Sequence, residues 1–135
     1  MLIRTDQALN FEHAAIHEVT AYGLQAPLKA QFPNGAFPQV WSGPVAAKPV
    51  VKAGFPGDNW KTDGRFKNYW VYYTLNDNLA GTVSDLLIET YQIYKDERYR
   101  AALAKLGDFL ILSQMPDPQP GRCQQYNYSV ATSLG

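Results

Sequence analysis

Asp77 closes the run Thr74-Leu75-Asn76-Asp77, where an aromatic stretch without period gives way to strongly periodic, helix-like sequence. Two chemistries suit that position. A threonine followed three residues later by an acid is a capping-box variant, in which hydroxyl and carboxylate satisfy free amides at a helix start. Alternatively, the carboxylate holds a hard cation such as calcium, which takes about six to eight oxygens, so that Asn76, Asn78, loop carbonyls, water or the ligand would complete the shell. Lys61, Arg65 and Lys67 interleave with Asp63 and stand beside Trp60, Tyr69 and Trp70. As solvated charges they need no role. As a site they suit an acidic sugar, with flat aromatic faces for the ring and cations for its carboxylate.

Other chemistry-bearing residues carry weaker patterns. His13 and His17 lie four apart and could share a metal, but no glutamate directly follows His13 and no third ligand is evident, so helix surface or packing is the expectation. Cys123 follows Arg122 without a helix start or a paired histidine to make it a nucleophile. As a lone cysteine it also excludes an internal disulfide framework and a multi-cysteine metal site. An inverting glycoside hydrolase needs two carboxylates about 6.5–9.5 Å apart. Asp77 would have such a partner only if Asp58 or Asp63 folded towards it. Glycine-rich phosphate loops, a Gly-x-Ser-x-Gly elbow and Cys-x-x-Cys are absent, and Asn127-Tyr128-Ser129 meets the glycosylation sequon.

These residues must be held by a chain of 135 residues, 46% apolar and 18% charged, which is the make-up of one globular domain. Twelve basic residues balance twelve acidic ones, so no overall field favours nucleic acid or an anionic membrane. No apolar run approaches the length of a membrane span, and no secretory signal opens the sequence. Phe11, Ala15, Val19, Tyr22 and Ala26 line one face of a helix expected from about Asn10, as its cap, to Gln31, kinked or ended early by Pro27. From Pro33 to about Tyr73 the sequence predicts a long loop, rich in proline and glycine and carrying all three tryptophans. That aromatic content implies an ordered segment folded over the core or a ligand. Leu79, Val83, Leu86, Leu87, Tyr91 and Tyr94 predict a helix over 76–94, broken by Lys95-Asp96-Glu97. Tyr99, Leu103, Leu106, Phe109 and Leu110 predict another, antiparallel to it and running to Met115. Residues 127–135 read as a frayed or truncated end.

Gln31-Phe32-Pro33 and Gln114-Met115-Pro116 each follow a helical run, and aromatic loops follow both. This internal repeat is what stacked helical hairpins show when their loops share one face. The expected fold is all α, a partial α/α toroid of stacked hairpins with a long aromatic-rich loop.

Taken as an ordered set, Gln31 to Gln39, Thr74 to Asp77, Asp96 to Tyr99, Gln114 to Pro116 and Gln124 to Tyr126 resemble the signatures of the pectic acid lyases, polysaccharide lyase family 10. The resemblance covers about residues 8–126 of a single incomplete lyase-like domain spanning 1–135. It implies calcium-assisted β-elimination of polygalacturonate, in which the cation neutralises the uronate carboxylate and an arginine removes the proton at C5. By that resemblance Asp77 is expected as a calcium or substrate ligand, and Gln39, Trp41, Arg65, Trp70 and Tyr72 are candidates for the substrate cleft. Members are typically secreted or periplasmic. The chain departs from the pattern at Phe37 and near Arg122, where tryptophan is usual, and at Asn127, where aspartate is usual. The arginine segment expected to supply the base has no counterpart in 129–135, so a truncated domain with weak or no catalysis is expected. Two other classes remain open: binding of an acidic polysaccharide without cleavage, and a helical-repeat scaffold for protein partners.

Overall fold

The computed structural model describes residues 2–43, 69–118, 121–122 and 125–126. Among them helices dominate: α1 (Leu2–Ala8), α2 (Ala14–Ala30), α3 (Leu79–Tyr94) and α4 (Glu97–Leu112). A ribbon of two short strands, β1 (Tyr73–Thr74) and β2 (Gln125–Tyr126), pairs antiparallel with Tyr73 opposite Tyr126. The helical class matches the periodicity, whereas two-residue strands are too short to leave an alternating pattern in the sequence.

The α3–α4 hairpin forms where the apolar spacing places it. Leu87 and Thr90 of α3 are buried, as are Tyr99, Ala102, Leu106 and Phe109 of α4, so each helix turns an i, i+3, i+4 stripe towards the other. The break needs only two residues. Lys95 takes the left-handed conformation (φ 56°) and its amide caps the last turn at Tyr91 O. Asp96 then caps α4, accepting from the Arg98 amide at 2.9 Å and from the Arg98 guanidinium. Helix α4 stops at Leu112, a turn before the expected Met115, because Ser113 already serves as its C-cap.

Helix α2 departs from expectation at its start and on its inward face. Asn10 and Phe11 both have positive φ (52° and 62°), so the chain turns left-handed there and His13 is the cap, its Nδ1 accepting from the Ile16 amide. Pro27 sits inside the helix without ending it. The carbonyl four residues earlier belongs to exposed Gly23, where water can replace the lost bond, and buried Leu24 and Ala30 anchor the turns on either side. Finally, Thr20 and Leu24 face inward and Ala30 is buried in the last turn, while Ala15, Val19, Tyr22 and Ala26 are exposed. The predicted apolar stripe is the outer one.

Helix α1 packs on α2 and α3, and α2 packs on α4, so the helices form two side-by-side pairs. A run of edge-to-face rings continues their core towards the ribbon. Phe32 meets Tyr73 at 4.8 Å between centroids, Tyr73 meets Phe109 at 6.0 Å, and Phe109 meets Tyr126 at 6.1 Å. Both strands are thereby tied to α4.

Candidate functional site

The loop after α2 is fastened to α4 before it reaches the site. Gln31 Nε2 donates to the carbonyls of Gly35 and Ala102, at 3.1 and 2.8 Å. The Asn34 carboxamide accepts from the Ala36 amide, and the Phe32 amide donates to Ala36 O, closing a tight turn. Gly35 sits at φ +93° against the α4 backbone, so close that a Cβ would stand 1.8 Å from Lys105 O. Only glycine allows that approach. Phe32, Ala36 and Phe37 are buried beneath the turn, and their apolar burial holds the loop in place.

Beyond Phe37 the anchored loop runs beside the segment that leads into α3. Phe37 O accepts from the Thr74 amide at 3.0 Å, and Trp70 O accepts from the Val40 amide at 3.0 Å. Between them Gln39 Nε2 donates to Asp77 Oδ2 at 3.0 Å. Thr74 also pairs with Gln125 across the ribbon. Three of the sequence runs singled out above, Gln31–Gln39, Thr74–Asp77 and the end of Gln124–Tyr126, therefore meet around β1.

Asp77 is not a helix cap. The Thr74 hydroxyl donates to Tyr72 O at 2.9 Å, and no side chain caps α3, whose N-cap position is occupied by Asn78 at φ 56°. Asp77 is also left-handed, at φ 53° and ψ 34°. That backbone turns its carboxylate away from the amides of its own helix and towards Gln39 and Asn76, whose Nδ2 donates to the same Oδ2 at 3.1 Å. The capping-box expectation is thus overturned, because two consecutive left-handed residues separate Thr74 from the first turn of the helix.

Gln39 and Asp77 are exposed, Trp41 and Trp70 each keep 38% of their surface in solvent, and Tyr72 is half-buried. Burial pushes the neighbouring Tyr73 phenol up from its ordinary range. The expectations for Asp58, Trp60, Lys61, Asp63, Arg65, Lys67 and Cys123 lie outside the described residues, as does the sequon at Asn127.

Asp77, Asn76 and Gln39 supply one carboxylate and two carboxamides, which can rotate to present oxygen. Calcium takes about six to eight oxygens. No group of three or more histidine, cysteine, aspartate or glutamate side chains forms a metal cluster among the described residues. One carboxylate, with two carboxamides that donate to it in this structure, falls short of the number calcium takes. The four arginines among the described residues are engaged elsewhere: Arg4 with Glu89, Arg98 with Asp96, Arg100 with Glu97, and Arg122 with Leu110 O.

His13 and His17 do not converge on a metal. His13 caps α2, while His17 Nδ1 donates to Asp6 Oδ2 at 2.9 Å. Tyr94 Oη donates to the same oxygen at 2.6 Å. Asp6 is fully buried, and its Oδ1 has no hydrogen-bond partner among the described residues. Burial alone would push its carboxyl up, but the bonds from Tyr94 and His17 outweigh that and hold it below the ordinary aspartate range. Burial, with the Asp6 carboxylate, drives the Tyr94 phenol well above its usual value. The sequence offered no sign of this junction, since Tyr94 reads as one more apolar position of α3. A separate cleft of about 570 Å³ lies at the end of α4, lined by Asp108, Ile111 and Leu112 and by 114–117, and includes none of the residues around Asp77.

Comparison of the chain with models of known protein families, with curated proteins and with solved structures finds no match.

Proposed function

We propose that the chain is a pectate lyase-like domain, part of an α/α toroid, which binds polygalacturonate with calcium at Asp77 and has weak or no β-elimination activity of its own. The carrying observation is the Gln39–Asp77 hydrogen bond at 3.0 Å, a contact between the two most specific runs of the resemblance. The paired helices α1–α2 and α3–α4, standing side by side, are in keeping with two hairpins of a toroid.

Asp77, with the carboxamide oxygens of Gln39 and Asn76, would hold the cation. Bound there, calcium would neutralise a uronate carboxylate and acidify the neighbouring C–H. The chain's own residues do the rest of the binding. Gln39 Nε2 holds Asp77 until its carboxamide rotates towards a cation, and the partly exposed indoles of Trp41 and Trp70 offer flat apolar surface to sugar rings. Among the described residues each of the four arginines pairs away from Asp77, which is in keeping with binding that is not followed by efficient cleavage.

The test is to apply the chain to immobilised polygalacturonate with and without calcium, and to follow unsaturated product by near-ultraviolet absorbance. Calcium-dependent retention with little product, lost in Asp77→Asn, is the expected result. Absence of both retention and product would leave the scaffold class, and retention unchanged in Asp77→Asn would place binding elsewhere.

A further inference from the structure

Asn34-Gly35 is the only Asn-Gly pair in the sequence. Such a pair is the one most open to spontaneous loss of ammonia, because glycine has no side chain to shield its main-chain nitrogen. In that reaction the Gly35 nitrogen gives up its proton to water and attacks Cγ of Asn34. The new N–Cγ bond closes a cyclic imide, while the Cγ–Nδ2 bond breaks and the leaving nitrogen takes a proton and departs as ammonia. Water then opens the ring at one carbonyl or the other, giving aspartate or isoaspartate.

The fold holds both reacting groups back from this step. The Gly35 amide donates to Phe32 O at 2.8 Å, which engages the proton that must leave and closes the turn from Phe32 to Gly35. The Asn34 carboxamide is fixed by the Ala36 amide, which donates to its Oδ1 at 3.1 Å. Gly35 itself is buried at φ +93°, packed on the α4 backbone, and its carbonyl accepts from Gln31 Nε2 at 3.1 Å. Ring closure requires the Asn34–Gly35 peptide to rotate towards the Asn34 side chain, and that rotation breaks these bonds. The turn must open before it can react.

We infer that Asn34 is a modification site guarded by the fold: it is converted to aspartate or isoaspartate in chains whose turn has opened, and isoaspartate at this position bars return to the native structure. Isoaspartate routes the main chain through the side-chain methylene and so lengthens the turn by one atom. There is no room for it. A single carbon added at Gly35 would already stand 1.8 Å from Lys105 O. Aspartate, by contrast, keeps an oxygen where Asn34 Oδ1 now accepts from the Ala36 amide. Time spent unfolded therefore turns a reversible transition into an irreversible one, and ageing of folded chains follows the fraction that is open.

The test is to hold the full chain at mildly alkaline pH, in buffer and in unfolding urea, and to follow the peptide containing Asn34 by mass spectrometry, with isoaspartate scored by enzymatic carboxyl methylation. Conversion should be at least tenfold faster in urea. A partly converted sample diluted from urea should divide on size exclusion into a native fraction free of isoaspartate and a non-native fraction that holds it. Asn34→Ser keeps a side-chain oxygen for the turn but cannot close the imide, and should refold in full after the same time in urea. Equal rates in buffer and urea would overturn the guarding role. Isoaspartate spread evenly between the two fractions would overturn the bar to refolding, as would a loss of refolding in Asn34→Ser as large as the parent's.

Discussion

Tyr94, the last residue of α3, donates its hydroxyl to the buried carboxylate of Asp6 on α1 at 2.6 Å, and so ties together helices that are distant in the chain. Hydrogen bonds to a charged partner are worth about 1.5–3 kcal/mol. Tyr94→Phe should therefore lower unfolding stability by about that amount, read from the urea midpoint at constant slope. The ring contact of Tyr94 with Phe11, at 5.5 Å between centroids, survives the change, so the loss reports the hydroxyl.

The same carboxylate sets an acid limit. Because the folded Asp6 carboxyl lies below its ordinary range, its contribution is complete above the unfolded aspartate pKa of about 3.9 and is lost as pH falls through the lower folded value. Chemical denaturation from pH 5 downwards should show stability falling. Asp6→Asn, destabilised at neutral pH, should have a flatter profile over that range. A parent profile no steeper than the variant's would disprove the linkage.

Gly35→Ala should be among the most damaging single substitutions. The new Cβ would meet the Lys105 carbonyl at 1.8 Å while the backbone is held at φ +93°. A loss of about 3 kcal/mol or more is expected. Its signature is a lowered thermal midpoint together with weakened polygalacturonate retention, because the turn that carries Gln39 would be displaced.

Pro27→Ala should act in the opposite direction. It returns an amide that can bond the Gly23 carbonyl and relieves crowding of the preceding turn, for a gain of about 1–2 kcal/mol in denaturant midpoint. Destabilisation would mean that the ring's packing outweighs the missing hydrogen bond.

At Asp77 stability and binding should separate. Asparagine tolerates the left-handed region and valine does not. Asp77→Asn should stay within about 0.5 kcal/mol of the parent, and Asp77→Val should lose about 1–2 kcal/mol. If the carboxylate holds the cation, both should fail on a polygalacturonate column.

The α3–α4 hairpin can be read from Leu87, Tyr99, Leu106 and Phe109, because helical burial repeats locally and each helix finds its partner next in the chain. Helix α2 misleads the same reasoning because it has two apolar faces. Val19 and Tyr22 make the stronger stripe, yet Thr20 and Leu24 go inside, the threonine returning its hydroxyl to Ile16 O at 2.7 Å. Periodicity finds a stripe but cannot say what lies against it. At the candidate site, the meeting of the two conspicuous runs at the Gln39–Asp77 bond is not legible in the sequence, because the residues stand 38 apart and nothing local pairs them. The mistaken capping role follows from φ angles, since nothing in Thr-Leu-Asn-Asp announces that Asp77 and Asn78 both turn left-handed.

The ribbon of β1 and β2 joins segments remote from each other in the chain through two residues apiece. Closing so large a loop sacrifices chain entropy that so short a ladder cannot recover alone. The strands should therefore zip only after α4 has docked and its Phe109 ring is in place to receive Tyr73 and Tyr126. Because Thr74 lies in that ribbon and Asp77 just beyond it, the surface around Asp77 should form last in folding, and agents that loosen the helices should erase it before the helices themselves melt.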